Sequence, residues 1–150
     1  MFMAVNTGMS QPAINLGSVD DLKEVACLSQ AVHGEAGNQS MQGKIAVAHV
    51  IINRTKSDKF PADDVCGVVK QKGQFDFLKK VRWIKENKPE ERKQMEESIT
   101  AAFKALHEPD PTNGALYFVN PHLADMSWLR GLKKTVKIDD HVFYKPRRDM

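Results

Sequence analysis

From Ile45 to Ile52 the chain is apolar at every position except His49. A helix over this run, from about Ser40 to Arg54, has almost no fully polar face, so it is expected at the centre of the fold. Upstream, Leu22, Val25, Ala26 and Val32, with Ser29 on the same stripe, recur at three-to-four-residue spacing and predict an amphipathic helix. Ser18, Asp20 and Asp21 suit its start, and Gly34 or Gly37 its end. Phe60-Pro61 breaks the chain, and Ala62 to Lys70 can form a short helix. Lys79 to Lys88 predicts no definite element. Pro89 followed by Glu90 and Glu91 opens a further helix, with Met95, Ile99, Ala102, Phe103 and Leu106 on its apolar stripe. Beyond the turn-forming run from Pro109 to Gly114 the pattern becomes extended over Ala115 to Val119. Thr135 to Ile138 and His141 to Tyr144 then predict a hairpin around Asp139-Asp140. These elements make an α+β domain, mainly helical with a small antiparallel sheet.

A length of 150 residues suits one domain with a single real core. Residues 1–17 read as a flexible N-terminal arm, and 18–150 as the folded unit. The arm has neither a basic n-region nor a continuous apolar segment, so neither a secretory signal nor a membrane anchor is expected. Cys27 and Cys66 show no metal-ligand spacing and are expected as two separate thiols. The five histidines form no HExxH pattern, so neither a metal nor another cofactor is implied. The net charge of +3 comes from the tail, where residues 130–150 hold seven basic and three acidic side chains. This basic surface could meet an anionic envelope polymer or nucleic acid, or remain a solvated face. The chain carries no recognised nucleic-acid motif, and aromatic residues are not interleaved along its basic runs.

The pattern with the most chemistry in it is residues 32–54, VHGEAGNQSMQGKIAVAHVIINR. It sets one carboxyl, Glu35, at a glycine-marked helix end just before a polar bend and the apolar helix. A carboxyl at the rim of a packed core is partly desolvated, which disfavours its ionised form and favours general-acid behaviour. His33, two residues away, would act in the opposite direction when protonated.

The same stretch resembles the core motif of the SleB/CwlJ family of cell-wall hydrolases through His33-Gly34-Glu35-Ala36, Gly43-Lys44-Ile45-Ala46-Val47-Ala48 and Asn53-Arg54. Further fragments follow in the family's order: Phe60-Pro61, Gln74-Phe75, Asp110-Pro111-Thr112, Gly114 to Phe118, Asn120-Pro121, Trp128 and His141 to Tyr144. The likeness covers residues 22 to 145. Three departures stand out. His33 replaces the usual tyrosine, Gln39 replaces a second glutamate, and Asp139 stands in a hairpin turn where the family has glycine.

The resemblance implies a lysozyme-like, lytic-transglycosylase-like domain, with the glutamate at a helix end facing a groove walled by the sheet. It implies cleavage of the β-1,4 bond from N-acetylmuramic acid to N-acetylglucosamine in peptidoglycan, with Glu35 as the catalytic residue and no cofactor. Gln74, Phe75, Tyr117, Asn120, Trp128, His141 and Tyr144 match positions able to bind the glycan; a turn amide, an Asn-Pro turn, a structural histidine and buried aromatic packing are the alternatives. An amide cannot titrate, so Gln39 cannot serve as a second acid. One carboxyl acting in turn as acid and base then favours a lytic transglycosylase over a hydrolytic muramidase, for which Asp76 is the remaining second-acid candidate. The expected setting is that of a phage endolysin, a monomer held in the host cytoplasm before release to the wall or periplasm. A basic binding protein on a degenerate hydrolase scaffold is the rival class.

Overall fold

The computed structural model describes residues 19–70, 88–123 and 126–147. Four helices precede a three-stranded sheet: α1 (Val19–Ala36), α2 (Met41–Thr55), α3 (Val65–Lys70), α4 (Pro89–His107), β1 (Tyr117–Val119), β2 (Leu132–Ile138) and β3 (His141–Pro146). A single 3-10 turn, Ser127–Leu129, separates β1 from β2. The expected α+β class is the observed one. The N-terminal arm and most of the Lys79–Lys88 stretch lie outside the described residues. None of the described helices is long and apolar enough to cross a membrane.

Helix α2 is central for the reason its sequence suggests. Every residue from Gly43 to Ile51 is buried, and α1, α3, α4 and the sheet all pack on it. Ser40 caps its start, accepting the Gly43 N–H at 3.2 Å, which satisfies one of the amides that a helix leaves open at its N-terminus. Among the buried residues is Lys44, 1% exposed. Its ammonium donates to the Gln39 carbonyl and pairs with Glu97 of α4 at 3.3 Å. A lysine at such depth needs these partners, because an unpaired buried charge is strongly unfavourable.

Two helical stripes are rotated from their expected positions. On α4 the buried seam is Ser98, Ala101, Ala102 and Ala105, while Ile99 is exposed. Small side chains let α4 approach α1 and α2 closely, so the residues that pack best are not the most hydrophobic ones. On α1, Leu28, Ala31 and Val32 enter the core together with Val25, whereas Leu22 and Ala26 face outward.

Cys27 and Cys66 are joined as a disulfide between α1 and α3, with Cα atoms 5.2 Å apart, which corrects the expectation of two separate thiols. A separation of 39 residues hides this proximity, which arises only because α3 folds back along α1. The same junction is tied by Glu24 of α1, whose carboxylate accepts the Val65 N–H at 2.7 Å and so caps α3.

The sheet order is β1-β3-β2, antiparallel throughout. One face sends Phe118, Val136, Ile138 and Phe143 toward the helical core. The other carries a smaller cluster of Val119, Leu129 and Val142, with Leu132 and Tyr144 at its margin. Asp139 in the β2–β3 turn adopts φ 54°, the left-handed region that glycine usually fills but aspartate tolerates. Its side chain offsets the strain, since Oδ2 accepts both the N–H (2.9 Å) and the hydroxyl of Ser40. The turn thereby presses against α2 so tightly that a Cβ on Gly43 would lie 2.6 Å from Asp139 Oδ2.

Closure of a loop of this length by the disulfide should contribute about 2–4 kcal/mol. Cys27→Ser is therefore expected to lower the midpoint of urea denaturation under non-reducing conditions, and reductant should produce the same loss in the wild type. Equal stability of wild type and variant would show that the bridge does not form.

Candidate active site

Glu35 lies in the last turn of α1, half-buried, one residue before the helix ends. Gly37 and Asn38 form the turn that follows, and the Gln39 N–H closes it onto the Ala36 carbonyl at 2.9 Å. The bend is then locked from outside. The Gln39 amide donates to Asp140 Oδ2 at 3.1 Å, and its oxygen accepts the Asp140 N–H at 3.1 Å. Gln39 thus fastens the tip of the hairpin to the bend beyond Glu35, and Asp139 does the same through Ser40.

The far end of α2 forms a second clamp. Asn53 donates to the Ala115 carbonyl at 3.0 Å and to Asp110 at 2.9 Å. Asp110 in turn gathers Thr112 N–H (2.8 Å), Thr112 hydroxyl (2.6 Å) and Gly114 N–H (2.9 Å). This ring of donors shapes the loop into β1, where Asn113 takes φ 56°. Arg54, next along the helix, is 5% exposed. Its Nε–H donates to the Leu116 carbonyl at 2.8 Å, while the guanidinium carbon lies 4.7 Å from the Phe60 ring centre and 5.7 Å from that of Tyr117.

These contacts set a buried cation against an aromatic ledge, within electrostatic reach of Glu35. Burial lowers Arg54 to about 10, against the opposing attraction of Tyr117 and of Glu35 itself. The ledge runs from Phe60 to Tyr117 and on to Trp128, with ring centres 6.0 Å apart at each step. Trp128 is 47% exposed, so the ledge ends in solvent. Tyr144 stands directly across the sheet from Tyr117 and continues this surface.

The other expected site residues fall elsewhere. His141 is 5% exposed, with its ring edge-on to Phe118 at 5.1 Å, so it packs in the core behind the sheet. Asn120 accepts the His122 N–H at 3.0 Å and holds the Asn-Pro turn. Gln74, Phe75 and Asp76 lie outside the described residues. Arg54 and Phe60 belong to the neighbourhood of the ledge although the sequence pattern assigns neither a role. An arginine directly after a buried apolar run should have drawn notice, because a guanidinium at that position must find partners. A cleft of about 660 Å³ opens beside His33, Gly37, Glu91 and Gln94. The cleft thus opens where the end of α1 and the bend after it meet the start of α4.

Among the described residues no group of three or more His, Cys, Asp or Glu side chains is arranged to hold a metal ion. The site offers instead one half-buried carboxyl, a buried cation and stacked aromatic rings. That combination is suited to a flat, polyhydroxylated ligand and acid–base chemistry.

The architecture is a helical body, with Glu35 in the last turn of its first helix, packed on a small antiparallel sheet. Residues 38–144 match the family model described as Cell Wall Hydrolase, and the chain belongs to that family. The matched span begins just after Glu35. The catalytic domain of the germination-specific lytic transglycosylase SleB from Bacillus anthracis superimposes with a TM-score of 0.67 at 29% identity, covering 94% of this chain and all of that one. The catalytic domain of the Bacillus cereus SleB protein gives 0.69 at 28% identity, covering 92% of this chain and 100% of that one. Among curated proteins, the spore cortex-lytic enzyme of Oceanobacillus iheyensis is 30% identical over 135 residues, or 89% of this chain and 46% of that protein. The Bacillus subtilis enzyme is 31% identical over 121 residues, 80% and 37% respectively. The chain therefore spans less than half the length of these curated relatives.

The titrating groups of the two clamps make a prediction about acid stability. Burial lowers His33, His49 and His141 below their ordinary 6.5, more than Glu91, Asp110 and Asp140 raise them. Asp110 is raised by burial but lowered further by its Thr112, Asn53 and Gly114 hydrogen bonds, and Asp139 is lowered first by Ser40, both ending below 3.8. In every case the unfolded chain binds the proton more readily. The histidine contribution is complete above 6.5 and declines as pH falls below that value; the aspartate contribution is lost in a second stage below 3.8. Thermal denaturation as a function of pH should show Tm falling in this order. A Tm that rises on acidification from neutrality would contradict the assignment.

Proposed function

We propose that this domain degrades peptidoglycan by cleaving the β-1,4 bond between N-acetylmuramic acid and N-acetylglucosamine, as a lytic transglycosylase. The observation that carries the reading is a half-buried Glu35 in the last turn of α1, within electrostatic reach of the buried Arg54, whose guanidinium also lies against Tyr117 of the aromatic ledge. The likeness to domains named as lytic transglycosylase and spore cortex-lytic enzyme supports the same substrate. In the first step the protonated Glu35 carboxyl gives its proton to the glycosidic oxygen, the bond to the anomeric carbon breaks, and positive charge develops on that carbon. In the second step the Glu35 carboxylate takes the proton from the muramic 6-hydroxyl, and the freed oxygen closes onto the anomeric carbon. One group, reversing its role, is sufficient for both transfers.

The engagement of nearby acidic groups supports this single-carboxyl route. Gln39 is an amide committed to Asp140, and Asp139 is committed to Ser40. Trp128, Tyr117 and Tyr144 would stack on sugar faces, an interaction available to any flat apolar ring surface. The basic face of the hairpin suits an anionic wall polymer, because Lys133 stands directly opposite Lys145 across the ladder. Like charges so placed destabilise a sheet, and a polyanion would relieve that repulsion. The proposed setting is that of a monomeric phage endolysin, held in the host cytoplasm and released to the wall or periplasm. The Cys27–Cys66 bridge would then form on release, since disulfides persist in oxidising compartments.

Glu35→Gln tests the assignment. It preserves volume but cannot give a proton, so lysis of purified walls should fall by ~10²–10⁴ while wall binding and Tm remain close to wild type. Wild-type clearing by the variant would eliminate Glu35 as the acid.

A further inference from the structure

The sheet carries charge of one sign. Its three strands hold four lysines, Lys133, Lys134, Lys137 and Lys145, and no aspartate or glutamate. Register decides the face each one takes, because residues directly opposite in an antiparallel ladder share a face. Val136 stands opposite Phe143 on the core face, whereas Lys134 stands opposite Tyr144 on the other. Two residues of a regular strand spaced by two would keep one face. The change is made by a bulge between Lys134 and Val136, where Thr135 is the extra residue and its hydroxyl donates to the Phe143 carbonyl at 3.2 Å. A bulge interrupts the ladder and re-aims a side chain. Here it moves Lys134 from the face of Val136 to the face of Tyr144.

The outcome is a row across the sheet, Tyr117 on β1, Tyr144 on β3 and Lys134 on β2, each opposite the next. Neighbouring strands lie about 4.8 Å apart, so the row spans about 10 Å of backbone. Leu132, two residues before Lys134, marks the same face by packing against the cluster of Val119, Leu129 and Val142. Trp128 closes the far end of the row, its ring 6.0 Å from that of Tyr117. Lys134 itself is exposed and, among the described residues, has no hydrogen-bond or ion-pair partner. Lys137 and Lys145, by contrast, donate to the carbonyls of Asp139 and Asn113.

We infer that Lys134 is a specificity residue for the substrate, binding a carboxylate carried by the muramic residue while the rings hold the sugar. The inference rests on the proposed cleavage of peptidoglycan. A glycan strand alternates two sugars whose flat faces are alike, and only the muramic one bears acidic groups, on its lactyl substituent or on the peptide that extends from it. Tyr117, Tyr144 and Trp128 can stack on either sugar. A compact ammonium at the end of their row adds the reading of charge. It thereby sets which sugar of the repeat lies on the ledge, and favours strands whose muramic residues keep a free carboxylate.

The test uses soluble peptidoglycan oligosaccharides, native or with their carboxylates amidated, on wild type, Lys134→Gln and Lys93→Gln, with Tm measured in parallel. Lys93 is an exposed lysine of α4, so its replacement controls for net charge. Wild type should show the lower KM on the native oligosaccharides. Lys134→Gln should raise that KM about two- to fivefold, the range of an exposed ion pair, with kcat unchanged and no effect on the amidated substrate. Lys93→Gln should match wild type on both. A wild type indifferent to amidation, an unchanged KM in Lys134→Gln, an equal rise on both substrates, or an equal effect from Lys93→Gln overturns the inference. Oligosaccharides freed of peptide keep the lactyl carboxylate: a preference retained with them places the contact there, and one lost with the peptide places it on the peptide, either in keeping with the inference. Kd for the native and amidated substrates, measured on Glu35→Gln with and without Lys134→Gln, should show the same difference without relying on turnover. If Glu35→Gln still cleaves, the assignment of the acid fails, and the binding comparison alone decides the role of Lys134.

Discussion

The small sheet is held against α2 by polar side chains at both ends of that helix, and the rest of the site depends on this double clamp. Three short strands gain their stability by packing on a larger body, and apolar contact alone would leave the sheet free to slide or tilt. At the start of α2, Gln39 and Ser40 bind the hairpin tip through Asp140 and Asp139. At its end, Asn53 and Arg54 bind the carbonyls of Ala115 and Leu116. The hydrogen bonds are directional, so they fix register as well as distance. Glu35 lies close enough to this arrangement that its surroundings are set by it. The cation comes from the second clamp, and Tyr117, the middle ring of the aromatic ledge, from the strand that clamp holds.

Much of the helical body was legible in the residues. The apolar run from Ile45 to Ile52 made α2 central, Pro89 with two glutamates marked the start of α4, and Gly34 or Gly37 marked the end of α1. The rotation of the α4 seam was not legible, because periodicity weighs hydrophobicity while close helix packing rewards small residues such as Ser98 and Ala101. The Cys27–Cys66 bridge was hidden for a different reason. Pairing depends on spatial proximity, and nothing local reveals that α3 returns to α1.

The site itself was half visible. Tyr117, Trp128 and Tyr144 share one neighbourhood, and Tyr117 and Glu35 both act on the Arg54 cation, whereas His141 packs behind the sheet and Asn120 holds its own turn. The departures from the family pattern proved informative once contacts were known. Gln39 removes a titratable group yet keeps both a donor and an acceptor for Asp140, which a carboxylate could not do. Asp139 gives up the freedom of glycine and gains a carboxylate for Ser40. Both substitutions trade chemistry or flexibility at the bend for rigidity, since the side chains of Gln39 and Asp139 tie the bend to the hairpin tip.

That division of labour has a direct chemical signature. If Glu35 alone serves as acid and then base, the muramic 6-hydroxyl must take the place of water, and each cleavage must leave an anhydro end. Mass spectrometry of purified peptidoglycan digested to completion reads this at once. The account predicts muramic ends lighter by one water than hydrolysed ends, absent when Glu35→Gln replaces the wild type. Reducing-end muramic acid as the sole product would contradict it, and would require a second group that activates water.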